Sequence, residues 1–190
     1  IRALGGADTV NGGDDNDTIF GGPGDDTLNG GEGDDKLYGG SGADTMSGGD
    51  GNDIYSVGNV NDSVSEEGTT GTDRIFSTVT FTTPDNVENL ILKGSDDIDA
   101  TGNNLDNILL GNEGNNEING LTGNDTIDGG AGDDTIGGGV GDDTLDGGAG
   151  DDTIDGGVGD DIMSGGEGDD TYIVDSADDS VIENSSEGTD

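Results

Sequence analysis

Between residues 120 and 173 one large apolar residue recurs every nine positions, as Ile127, Ile136, Leu145, Ile154, Met163 and Tyr172. Thr, Asp, Ser or Gly fills most of the flanking positions. One inward residue between outward neighbours is the alternation of a short strand, since a helix would repeat its apolar positions at three and four. With the unit numbered 1 to 9, the pattern predicts an extended segment at 7 to 9, residue 8 inward, joined by a glycine-rich bend. Two units then make an 18-residue coil of turn, strand, turn, strand. Units i and i+2 stack on the same side, one strand spacing of about 4.8 Å apart.

The copies are close to identical. Residues 129–137 read GGAGDDTIG and residues 147–155 read GGAGDDTID, with Gly at 1, 2 and 4, Asp or Asn at 5, Asp at 6 and Thr common at 7. Glycines at 1, 2 and 4 predict a backbone with φ > 0 and carbonyls turned inward. The position-6 carboxylate adds an oxygen beside those carbonyls. Two such carboxylates one strand spacing apart repel unless a cation lies between them. An earlier array occupies 12–56, behind a degenerate unit at 3–11. Asp15 stands where position 4 of the second unit expects glycine, which puts that turn in question.

The unit resembles the RTX (repeats-in-toxin) nonapeptide G-G-x-G-x-D-x-U-x over residues 3–56 and 102–173. That resemblance implies an all-β, right-handed parallel β-roll, a β-helix solenoid of 18 residues per coil, which binds several Ca²⁺ ions. Calcium takes about 6–8 oxygen ligands. The implied metal ligands are Asp17, Asp26, Asp35, Asp44, Asp53, Asp125, Asp134, Asp143, Asp152, Asp161 and Asp170. With them would come the backbone carbonyls of Gly21, Gly22, Gly24, Gly30, Gly31, Gly33, Gly39, Gly40 and Gly42 in the first array. In the second array they are those of Gly129, Gly130, Ala131, Gly132, Gly138, Gly139, Val140, Gly141, Gly147, Gly148, Ala149, Gly150, Gly156, Gly157, Val158 and Gly159.

Composition changes the picture in one respect. Hydrophobic residues make up 26% and aromatics 3%, and the net charge is −41. Such a chain would ordinarily be disordered, so the repeat predicts folding only when cations arrive. Four Lys+Arg argue against nucleic acid or an anionic membrane as partner. No apolar run is long enough to span a membrane. The absence of Cys fits an extracellular setting. Without His or Cys most nucleophile–base machinery is missing, so the expectation is a non-enzyme. The chain opens on Ile1 and stops inside a motif whose earlier copy, GTDRIF at 71–76, continues. It reads as a piece of a longer parent, whose neighbouring domains are partners.

Four segments are expected. They are a first array (1–56), an irregular β segment continuing the solenoid (57–101), a second array (102–173) and the start of another irregular segment (174–190). In the first irregular segment, 74–81 and 87–92 read as strands around a Thr-Pro-Asp-Asn turn at 83–86. Asn107 and Asn116 occupy position 6 of two weak units, where a neutral amide predicts a metal-poor start to the second array. Residues 171–190 repeat 54–73, with Tyr172 for Tyr55, Asp179 for Asp62, Glu183 for Glu66 and Asp190 for Asp73. Tyr55 and Tyr172 read as core plugs ending each array.

Three other chemistries compete. Asp97 and Asp99 mimic the start of an EF-hand loop, but its twelfth position would be Ile108. Glu66, Glu67, Glu88 and Glu183 could pair as glycosidase acids, against the reading of solvated faces or caps. Stacked Thr126, Thr135, Thr144 and Thr153 could present a flat face to ice or polysaccharide. The expectation that outweighs these is a calcium-binding module of a secreted bacterial protein, folding outside the cell after type I secretion. The alternatives are an accessory polysaccharide-binding module of an exoenzyme and a repeat segment of a giant adhesin.

Overall fold

A computed structural model describes residues 1–67, 70–183 and 188. No helix occurs among them, and none is long and apolar enough to cross a membrane. The chain divides into two compact units, residues 1–80 with 84–89 and residues 81–83 with 90–190.

The first unit contains β1 (Thr9–Asp14), β2 (Thr18–Pro23), β3 (Thr27–Glu32), β4 (Lys36–Ser41), β5 (Thr45–Asp50), β6 (Ile54–Val57), β7 (Ser63–Ser65) and β8 (Arg74–Ser77). Odd strands pair with odd and even with even, giving the orders β1-β3-β5-β7 and β2-β4-β6-β8. Every one of these pairings is parallel, and the register of the regular coils is 18, as in Thr27↔Thr45 and Lys36↔Ile54. Both features follow from a coil of two units.

The second unit repeats the plan with β9 (Phe81–Thr82), β10 (Asn89–Leu92), β11 (Ala100–Thr101), β12 (Ile108–Leu110), β13 (Glu117–Thr122), β14 (Thr126–Ala131), β15 (Thr135–Val140), β16 (Thr144–Ala149), β17 (Thr153–Val158), β18 (Ile162–Glu167), β19 (Thr171–Ile173) and β20 (Ser180–Ile182). Its Thr126↔Thr144 and Thr135↔Thr153 pairs form the threonine ladders expected from the sequence, exposed at Thr126, Thr135 and Thr144 and half-buried at Thr153.

Position 8 supplies the core in both units. Ile19, Leu28, Leu37, Met46 and Tyr55 are fully buried, as are Ile127, Ile136, Leu145, Ile154 and Met163. Each coil thus encloses only two large side chains, so its hydrophobic driving force is small for the backbone it orders. Tyr55 is the plug the sequence implied, whereas Tyr172 is half-buried.

Two expectations need correction. The regular strands do not stop at position 9 but run on through positions 1 to 3 of the next unit, so the bend is confined to 4 to 6. Position-1 glycines are also absent from the left-handed region, which holds those at 2 and most of those at 4, for example Gly148 (φ 103) and Gly150 (φ 139). Asp15 keeps that turn conformation at φ 74 despite its Cβ, as Asp can.

The irregular segment departs from the 18-residue period within each unit. Ile54 pairs with Arg74, a step of 20, and Phe81 with Ala100, a step of 19. The strand expected at 74–81 is broken after Ser77, whose hydroxyl donates to the Val79 carbonyl at 2.6 Å. The turn before β10 is closed by the Val87 N–H to the Pro84 carbonyl, with Asn86 at φ 65.

Candidate metal centre

Each position-6 Asp sits where the bend re-enters a strand, and its side chain turns back along the coil axis. Oδ1 accepts the backbone N–H of the position-6 residue one coil earlier. Asp134 N–H donates to Asp152 at 2.7 Å, Asp143 N–H to Asp161 at 2.9 Å and Asp35 N–H to Asp53 at 2.7 Å. The result is a pair of carboxylate columns in each unit. In the first unit they run through Asp8, Asp26 and Asp44, and through Asp17, Asp35 and Asp53. In the second they run through Asp125, Asp143 and Asp161, and through Asp134, Asp152 and Asp170. All eleven of the aspartates singled out from sequence lie in these columns. All are buried except Asp17, which is half-buried.

The second oxygen is the informative one. Oδ2 of Asp26, Asp35, Asp44, Asp53, Asp125, Asp134, Asp143, Asp152 and Asp161 is buried and accepts no hydrogen bond. Leaving a buried acceptor unmet is costly, and more so for a charged one. Each Oδ2 lies against the bare Cα of the position-1 glycine of its own unit. A Cβ on Gly129 would fall 2.5 Å from Asp134 Oδ2 and 2.5 Å from the Gly147 carbonyl oxygen of the next coil. Position 1 is therefore glycine for space, so that a carboxylate oxygen and a carbonyl oxygen can share one dry pocket. A hard cation is the partner that this donor set fits.

The electrostatics agree. Burial raises the carboxyl pKa of Asp134 and Asp143 from 3.8 to about 6 and that of Asp152 to about 7. In each case a backbone N–H bond opposes the rise and neighbouring carboxylates add to it. Asp35, Asp44, Asp125 and Asp161 are raised in the same direction, again mainly by burial.

Asn107 and Asn116 are an internal control. Asn116 Oδ1 accepts the Asn112 N–H at 2.9 Å, while its amide nitrogen donates to the Ile98 carbonyl at 2.6 Å. Asn107 Oδ1 accepts the Asn103 N–H at 2.7 Å. An amide closes the turn with its own donor and acceptor, where a carboxylate leaves an oxygen over.

Position 5, which the sequence reading left without a role, forms a second ladder. Its side chains point the other way: Asp151 N–H donates to Asp133 Oδ1 at 3.1 Å and Asp169 N–H to Asp151 at 2.9 Å. Asp97 and Asp99 belong to this kind of bonding, accepting from the N–H groups of Asn115 and Glu117, rather than to an EF-hand loop. Among the carbonyls named from sequence, those of Val140, Ala149 and Val158 each accept a position-4 N–H at 2.8–2.9 Å. The position-1 carbonyls are the ones beside Oδ2.

Asp62 and Asp73, also unforeseen, end the first unit's columns. Asp62 Oδ1 continues one column by accepting the Asp44 N–H, and its Oδ2 takes the N–H groups of Gly58 and Asn59, each at 3.0 Å. Asp179 does the same for Asp161, Asp175 and Ser176. Asp73 continues the other column by accepting the Asp53 N–H at 2.7 Å. The recurrence of Asp, Tyr and Glu between 54–73 and 171–190 was the sequence signal for these ends. Glu66 and Glu88 are taken up in this bonding, Glu88 through the Asp73 N–H. Asp190 lies outside the described residues.

Parallel strands in 18-residue coils, with glycine turns lined by columns of buried carboxylates, define a β-roll of metal-binding repeats. The family model for the RTX calcium-binding nonapeptide repeat (4 copies) matches residues 2–37, 20–55, 29–64, 101–136 and 137–172. The chain belongs to that family. No curated protein matches it.

Proposed function

We propose that the chain is a calcium-dependent folding module in which the position-6 aspartates hold Ca²⁺ together with position-1 carbonyls. The observation that carries this reading is the repeated, buried Oδ2 that accepts no hydrogen bond beside a carbonyl from the next coil. When bound, the ion supplies the positive charge that the columns lack. The chain's own residues do the rest: Oδ1 fixes each carboxylate through a backbone N–H, glycine leaves room, and the position-8 side chains keep water out. Units beginning with Asn107 and Asn116 at position 6 hold no ion. Secretion, with folding at extracellular calcium concentrations, gives this design its use, because an unfolded acidic chain stays extended until calcium reaches it. The module spaces or presents neighbouring domains of its parent.

The test compares Asp152→Ala with Asp8→Ala by calcium titration followed by circular dichroism. Asp152 receives the Asp134 N–H and gives its own to Asp170, whereas Asp8 stands at the start of its column. In a roll where each coil contacts only its neighbours, a central defect uncouples both sides and a terminal one frays. Asp152→Ala is expected to raise the calcium midpoint several-fold and Asp8→Ala to leave it nearly unchanged. Equal shifts would overturn the stacked-site reading.

pH supplies a second test. The folded carboxyls of Asp134, Asp143 and Asp152 sit above the ordinary value of 3.8, so their ionisation opposes the metal-free fold. That penalty is fully present above about pH 7, for Asp152, and fades as pH falls toward about 4. Chelated chain should therefore gain β signal on acidification from pH 8 to 4.5. In calcium, protons compete for the same oxygens, so the midpoint should move to higher calcium at pH 5 than at pH 7.5. A chelated chain with the same β content at both ends of the range would contradict the buried-carboxylate account.

A further inference from the structure

We propose that Asp53, Glu66 and Asp73 form a calcium site of a different construction from the repeat turns, which closes the first array onto the segment that follows it. One carboxylate oxygen of each residue lies within 4.8 Å of the others, and all three residues are buried. The proposal rests on the calcium reading of the arrays but does not follow from the repeat, because Glu66 and Asp73 lie outside the nonapeptides.

Three carboxylates brought together away from water do not remain ionised unless a cation joins them. Asp53 Oδ2 points the same way: it is fully buried, accepts no hydrogen bond, and faces the bare Cα of Gly48 beside the Tyr55 hydroxyl. Tyr55 orients the group. Its oxygen accepts the Gly48 N–H at 2.6 Å and its hydrogen goes to Glu66 Oε2. Glu66 Oε1 is held by the Gly49 N–H at 2.9 Å, and Asp73 Oδ1 by the Asp53 N–H. The carboxylates are thus fixed from behind.

The donor set suits calcium, which accepts several carboxylate oxygens in flexible geometry, whereas magnesium demands near-ideal octahedral geometry and keeps most of its water, for which three buried carboxylates fixed from behind leave no place. Part of the arrangement recurs: Tyr172 donates to Glu183 beside Asp170, and Asp190, outside the described residues, stands in the sequence where Asp73 does in the first copy. The neighbouring column ends differently, on Asp62, whose Oδ2 is satisfied by two N–H groups. One column of the array thus closes with backbone donors and the other with an ion.

The experiment uses the full chain carrying Tyr38→Phe and Tyr172→Phe, so that Tyr55 is the one antenna left for tyrosine-sensitised terbium emission. Bound calcium is counted in parallel by native mass spectrometry, and array folding is followed by circular dichroism. The expected result is terbium emission that calcium displaces and magnesium does not. Glu66→Gln and Asp73→Asn keep the side-chain size and an oxygen to accept the Gly49 and Asp53 N–H groups, Gln giving up only the acceptor for the Tyr55 hydroxyl, and should each lose most of that emission and one calcium ion, with the array's β signal retained. Unchanged emission and ion count in both variants would overturn the site and leave the array reading standing, the three carboxylates then sharing protons. Absence of sensitised emission in the parent chain overturns it whatever the variants do. A parent that takes up no calcium at all removes the array reading too, so the two failures are told apart.

Discussion

Small-angle scattering in a chelator will show an expanded chain, and about millimolar calcium will reduce its radius of gyration by at least about twofold. Three features of the molecule require this. The net charge is −41, and on the order of ten Ca²⁺ ions would cancel roughly half of it. The core offers two large side chains per coil, too few to order eighteen backbone residues alone. The columns also bring buried carboxylates within one strand spacing of one another, where each Oδ2 needs a positive partner. Magnesium at the same concentration should leave the chain expanded, because it keeps its water and demands octahedral geometry. A chelated chain already as compact as the calcium form would refute the coupling of metal to folding.

Alanine at two adjacent glycines should have opposite consequences. Gly137 is at position 9, and a Cβ there meets nothing within 4 Å. Gly137→Ala should leave the calcium-loaded melting temperature unchanged or slightly raised, by the roughly 0.4–1 kcal/mol that alanine removes from the unfolded chain's freedom. Gly138 is at position 1. Its Cβ would fall 2.6 Å from the Gly156 carbonyl oxygen and collide with the Asp143 carboxylate. Overpacking alone costs about 1–3 kcal/mol, and here it also displaces the carboxylate oxygen proposed to hold calcium. Gly138→Ala should lower the melting temperature by roughly 5–10 °C and raise the calcium midpoint. Equal melting temperatures would mean that position 1 is glycine for some reason other than the carboxylate beside it.

That pair also marks where the sequence was legible and where it was not. Exact repetition made position 8 the core and position 6 the column, because a nine-residue period leaves one inward side chain and one carboxylate per bend. The same repetition hid the reason for position 1. A glycine reads alike whether it supplies φ > 0 or supplies room, and the obstacle at Gly138 is a carbonyl 18 residues away. Asp73 was half legible for a related reason: its recurrence as Asp190 marked it, but it joins Asp53 across a coil of 20 residues, a length no periodic pattern announces. Glu66 reads as one more acidic residue in an acidic chain until Tyr55 is seen donating to it.

The side-chain bonds of the columns all run one way. Within the arrays the N–H of Asp125, Asp134, Asp143 and Asp152 is met by an aspartate from the coil that follows, never from the coil before. The opposite ladder at position 5 is exposed, where water can serve instead. Removing coils from the N-terminal side therefore leaves the column N–H groups that remain with their acceptors and costs only the donor to Oδ1 of the new first coil, whereas removing them from the C-terminal side leaves the N–H of the new last turn without its acceptor. Each column has a built-in direction: a coil is finished by its successor, and a column that ends, as at Asp62 and Asp179, does so on a carboxylate held by N–H groups of its own turn.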